Sequence, residues 1–150
     1  MVFSADLDKV LASFIIAVGA ASMDIEVTMF FAFWGINVLR KRKCGRIKKN
    51  FIEWILAKLM PRGIKKLKLS KMNMYGIGTW MFKKIMKKKK VSSLTQLMAT
   101  ARQLGVKFVV CQMSMDIMGI KKEELIDDTE FGGVTSYLNQ VDQAKVNLFI

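Results

Sequence analysis

The chain has 150 residues, 52% of them hydrophobic, with one proline, two cysteines, no histidine and a formal net charge of +13. That length suits one ordinary domain with a sizeable core, and so apolar a composition excludes disorder. The lack of histidine removes the commonest metal ligand and the usual general base.

The charge is uneven. Residues 40–90 hold 19 of the 25 Lys and Arg but only one acid, Glu53, whereas the rest of the chain carries 6 Lys/Arg and 11 Asp/Glu. One basic, insertion-like segment therefore sits on a mildly acidic body. It is suited to an acidic partner or a membrane surface. Nucleic acid is disfavoured, because the segment has no base-reading or stacking motif. Solvated lysine on exposed helix faces is the bland alternative.

In chain order, Met1–Ser4 reads as a first strand. Ser4 and Asp6 then start a helix, with Asp8 adding negative charge to its first turn. Leu7, Val10, Leu11, Phe14, Ile15 and Val18 recur at helical spacing and define its buried face, while Gly19 and nearby alanines suit close packing. Glu26–Phe33 reads as a strand buried on both faces. Strand, helix and strand make a βαβ unit, so the sheet is expected to be parallel. Trp34 and Gly35 close that strand, and Ile36–Arg40 looks like one helical turn.

The basic stretch that follows contains Cys44. Phe51–Met60 is an amphipathic helix ended by Pro61-Arg62-Gly63, and Lys65–Lys71 reads as an irregular linker, with a short strand as the alternative. Thr79–Lys90 is a helix with a lysine-rich end. Ser92-Ser93 caps a further helix, Leu94–Leu104, and Gly105 ends it. Lys107–Val110 is a short β-branched run expected at the centre of the sheet. Lys121–Ile126 is a helical turn, Phe131-Gly132-Gly133 a turn into helix Val134–Ala144, and Val146–Ile150 a last strand.

The chemistry concentrates where Lys107–Val110 ends. Cys111 stands there, followed by Gln112, Met113, Ser114 and Asp116, and Ser and Asp are residue types that start helices. A thiol between a strand end and a helix start lies near unpaired N–H donors and the positive end of a helix dipole, which favours a sulfur anion. In a parallel sheet, ligands gather beyond the carboxyl ends of the strands. That edge receives Ser4, Asp6, Phe33, Trp34, Gly35 and Cys111–Ser114, joined by Gly132 and Gly133 if the chain returns to the same side. The alternative is a buried cysteine acting as a small hydrophobe.

The other motifs carry less. Cys44 lies in a cationic field that solvent would screen and reads as incidental, or as a second, exposed thiol. Met113, Met115 and Met118 beside Cys111 could suit a soft metal, but methionine more often fills a core. Gly76-Ile77-Gly78 is half of a dinucleotide fingerprint and follows no convincing strand. No metal or cofactor is expected.

CQMSMDIMGIKKEELI from Cys111, the FGGV at Phe131–Val134 and the terminal VNLFI resemble the DsrE/DsrF-like family, in its peroxiredoxin-like or sulfurtransferase branch. The opening FSADLDKVLASFIIAVGAASMDIEVTMFFAFWG is similar to that family's first βαβ unit. The resemblance implies a compact single-domain α/β fold, with flavodoxin- or Rossmann-like layering, and a homo-oligomer. It also implies a cysteine that carries persulfide sulfur between a donor and an acceptor protein, which places Cys111 as the reactive residue. Peroxiredoxin activity is not expected, since the proline and threonine that precede a peroxidatic cysteine are absent before Cys111. Exposed apolar residues within Phe51–Met86 are expected to form part of the oligomer contact. Two cysteines far apart, and acids at Asp6 and Asp8 where a signal peptide would be basic, point to the cytoplasm. The longest apolar runs fall short of the roughly 20 residues a membrane helix needs.

Overall fold

The computed structural model describes residues 1–42, 44, 50, 51, 55, 57 and 59–150. The core of the architecture is a parallel sheet of three strands: β1 (Thr28–Phe31), β2 (Lys107–Cys111) and β3 (Glu130–Gly132). They lie in the order β1-β2-β3, so the strand that carries the thiol is the middle one. Phe31 pairs with Val110, and Cys111 with Gly132.

Helix α1 (Leu7–Ala21) and helix α3 (Leu94–Gln103) cover one face. Between them in sequence lies α2 (Ile77–Lys88), and β2 is followed by α4 (Gln112–Met118) and, after β3, by α5 (Val134–Gln143). The period-two alternation of the strands divides the sheet's side chains. Met29, Phe31, Phe108 and Val110 join the main core with Val10, Phe14, Leu97 and Ala101. Phe30, Ala32, Val109 and Cys111 form a smaller cluster on the other face, against which Met1, Phe33 and Tyr137 of α5 pack. Helices thus lie on both faces, as in an α/β fold. Phe14 meets Phe108 edge-on at 5.8 Å, and Phe108 meets Phe31 at 5.7 Å, ring arrangements favoured by the aromatic quadrupole.

The chain ends differ from the expected strands. Val2 makes a single parallel bridge to Phe31, its N–H donating to Phe30 O at 2.8 Å. The C-terminal segment runs alongside: Ile150 N–H donates to Met1 O at 2.9 Å and Phe3 N–H to Ile150 O at 2.6 Å. Each end is held by a few ladder bonds, too few for a regular strand. Conversely, Phe131-Gly132, expected in a turn, belongs to β3. Its glycine gives little strand propensity, and pairing with the central strand supplies the order.

Other corrections are local. Ile15 points to solvent and Gly19 faces open space; Ala17 and Ala21 turn inward instead. The stretch after β1 is one 3₁₀ helix, Phe33–Leu39, rather than a strand end and a helical turn. A side chain on Gly35 would place Cβ 2.1 Å from Val2 O, so the close approach of the N-terminal segment requires glycine here. The expected helix Phe51–Met60 falls mostly outside the described residues; Phe51, Ile55, Ala57 and Leu59 are helical. The linker after Pro61 begins with a short 3₁₀ turn, Ile64–Lys66, and its Leu67 is a core side chain.

Candidate functional site around Cys111

Cys111 ends β2 and is at the same time the N-cap of α4, with an extended backbone (φ −69°, ψ 114°). Ser114 and Asp116 were expected to start this helix. They lie inside it instead, because the helix begins directly after the strand, at Gln112. By helix geometry the N–H groups of the first turn lack intrahelical acceptors, and they stand beside this N-cap. Ser114, one turn on, is wholly buried, and its Oγ has no hydrogen-bond partner among the described residues. A buried hydroxyl without a partner is costly. Gln112, Met113 and Asp116 face outward. Cys111 is 2% exposed, and both cysteines are free.

The parallel topology brings the expected residues to one edge but not into one pocket. Phe33 leaves β1 with φ 45°, a left-handed conformation that non-glycine residues rarely hold. Its ring packs against the Cys111 cluster and lies 5.2 Å from Phe3, which stacks in turn on Phe149. Gly132 faces Cys111 across the ladder, and a Cβ on it would meet Val109 and Ser136 at 3.2 Å. Gly133 is the N-cap of α5.

Ser4, Asp6 and Trp34 belong to a separate open cleft of about 510 Å³, lined also by Lys9, Pro61 and Lys68. Cys111 is not in its wall. Asp6 accepts from Ser4 Oγ at 2.9 Å and pairs with Lys9 at 2.9 Å, so its side chain does not cap α1. Trp34 is half exposed.

Tyr137 escaped the sequence reading. Its ring lies 4.9 Å from Phe30 and makes it part of the cover over the Cys111 cluster. The alternation of Phe30 with Ala32, and of Val109 with Cys111, was the available signal for which face to search. Cys44 is half-buried rather than exposed, and its Sγ donates to the Glu123 carbonyl at 3.3 Å. Among the described residues, no three Cys, Asp or Glu side chains gather as a metal site would require.

The profile of the DsrE/DsrF/DrsH-like family matches residues 1–149. The chain belongs to this family. It is 49% identical over 150 residues to the uncharacterized protein YrkE of Bacillus subtilis (strain 168), covering all of this chain and 94% of that protein. It is 32% identical over 151 residues to the sulfur carrier protein DsrE2 of Allochromatium vinosum, covering 96% of this chain and 91% of that one. Family membership and the sulfur-carrier relative support a sulfur-related role for the DsrE-like chain. Among its described residues, no helix is long and apolar enough to cross a membrane.

Proposed function

We propose that this DsrE-like protein is a sulfur carrier that holds sulfane sulfur as a persulfide on Cys111. What supports this is Cys111 at the N-cap of α4, followed one turn later by the buried, unpartnered Ser114 hydroxyl. A persulfide extends the side chain by one sulfur and carries its negative charge on the outer atom. First-turn N–H groups and the Ser114 hydroxyl are donors of the kind that charge needs.

Transfer is an exchange without net oxidation. The Cys111 thiolate attacks the outer sulfur of a donor persulfide. A new S–S bond forms at Cys111, the donor's S–S bond breaks, and the donor leaves as a thiolate that takes up the proton Cys111 gave away. An acceptor thiolate later attacks the outer sulfur on Cys111, and Cys111 is the leaving thiolate. At 2% exposure Cys111 is reached only when the cover over its cluster, Phe33 and Tyr137 included, moves aside. A reducing cytoplasm keeps the free Cys111 thiol available for this chemistry.

The test loads the protein with glutathione persulfide, removes the donor, and follows delivery of sulfane sulfur to a small thiol acceptor. Wild type and Cys44→Ser should deliver about one sulfur per chain, and Tyr137→Ala should load faster to the same extent. Equal delivery by Cys111→Ser would place the carrier elsewhere.

A further inference from the structure

We propose that the segment from Met72 to Lys90 is a docking element for a bilayer that contains anionic lipid. Two independent observations carry this: the way side chains are distributed around α2, and the way the loop before it is built.

Helix α2 turns one narrow face inward. Thr79 is buried, and Phe82 and Met86 pack against the core. The rest of its circumference is exposed and carries both apolar and cationic side chains. Ile77, Met81 and Ile85 form an apolar row at i, i+4, i+8 spacing, and Trp80 lies to one side of it. Lys84 and Lys88 stand among them, Lys83 and Lys87 beside them, and Lys89 and Lys90 continue the charge. Lys84 Nζ sits 4.9 Å from the Trp80 ring. No Asp or Glu occurs between Glu53 and Asp116, so nothing on this element offsets the charge.

The loop ahead of α2 exposes Met72, Met74 and Tyr75, the last completely. All three have positive φ (56°, 39° and 54°), a conformation that costs free energy at non-glycine residues. The loop is nevertheless fixed. Thr79 Oγ1 donates to Asn73 Oδ1 at 2.8 Å and accepts from Leu69 N–H at 3.0 Å, while Gly78 N–H donates to Asn73 O at 3.2 Å. A Cβ on Gly78 would lie 1.8 Å from Met72 O, so the loop packs directly on the helix's first turn. Strained backbone and dedicated hydrogen bonds hold apolar side chains out in water.

Charge decides the occupant. A second copy would set lysine row against lysine row. An acidic peptide or an RNA would satisfy the lysines and leave the Ile77–Met81–Ile85 row and the Tyr75 loop wet. An anionic bilayer satisfies both: lysines meet headgroups, the apolar row and loop enter the interface, and Trp and Tyr rings sit at the boundary. The element is peripheral, and its role is independent of Cys111.

The experiment sediments the full chain with vesicles of phosphatidylcholine alone, or of phosphatidylcholine with phosphatidylglycerol, at low and high salt. Binding is expected only with phosphatidylglycerol, falling steeply with salt. Changing Lys84, Lys87 and Lys88 together to Gln should weaken it roughly a hundredfold, at about fivefold per lysine near a charged surface. A blue shift of tryptophan emission on binding should shrink in Trp80→Phe. Equal or absent binding to the two vesicle types overturns the proposal, as does tighter binding to RNA or polyglutamate than to vesicles. So does self-association that Ile85→Asp abolishes in a protein that does not bind vesicles.

Discussion

Arg40 stands at the start of the basic segment, and sequence alone places it among solvated cations. It is instead 2% exposed. Its Nη2 donates to Glu124 Oε2 at 2.7 Å and its Nη1 to Asn37 Oδ1 at 3.1 Å, while Arg62 approaches the same carboxylate at 3.3 Å. Burial pushes the guanidinium below its usual range, and the Glu124 carboxylate pulls it back up. The contact joins residues 84 apart in sequence, so no local pattern could announce it. The position of Cys111 between strand and helix, by contrast, is legible at this scale, because the end of an apolar strand and the helix-forming run after it can be read from neighbouring residues. Glu124→Gln leaves Arg40 as a buried charge without its counter-charge, and should cost about 3 kcal/mol or somewhat more in urea unfolding. The double variant Arg40→Met/Glu124→Leu should recover most of that loss. Equal losses in the two proteins would show that the charge pair is not what matters.

Among the elements, α3 is the most legible, because its start is written into the sequence. Ser93 and Gln96 form a capping box, with Ser93 Oγ accepting from Gln96 N–H at 3.3 Å and Gln96 Oε1 from Ser93 N–H at 2.8 Å. The start of α1 is legible in the sequence, but its bonding is not. Leu7 N–H is satisfied by Lys68 O at 2.7 Å, a group contributed by the linker after Pro61. Asp8 ties the same two elements together, accepting from Ser70 N–H at 2.9 Å and Ser70 Oγ at 2.6 Å. Burial alone would raise the Asp8 carboxyl, but the Ser70 hydrogen bonds outweigh it and hold the group below its ordinary 3.8. A carboxyl held lower in the folded than in the unfolded chain contributes stability above its unfolded value and loses it as pH falls through the folded one. The difference in urea midpoint between wild type and Asp8→Asn should therefore shrink as the pH is lowered from about 5 to about 3. A constant difference would mean the contact is unlinked to the carboxylate. Gly35→Ala tests the other clasp of this region. Detachment of the N-terminal segment should lower the midpoint and raise hydrogen exchange at the Val2 and Ala32 amides, which bond to Phe30 and Val2 carbonyls.

At the scale of the whole molecule, the parallel sheet and its central strand follow from the βαβ pattern and from the apolar run Lys107–Val110. The separation of Cys111 from the Ser4–Asp6–Trp34 cleft does not. Strand-edge topology says which residues share an edge, whereas side-chain alternation and the packing of α5 decide which face each one reaches. The chemistry proposed for this fold is a single persulfide, carried at the N-cap of α4. Intact-mass spectrometry of the folded protein after exposure to a sulfane-sulfur donor tests it most directly. Wild type and Cys44→Ser should each gain the mass of one sulfur atom, reversed by excess thiol, and Cys111→Ser should gain none. An unchanged wild-type mass, or the same gain on Cys111→Ser, would contradict it.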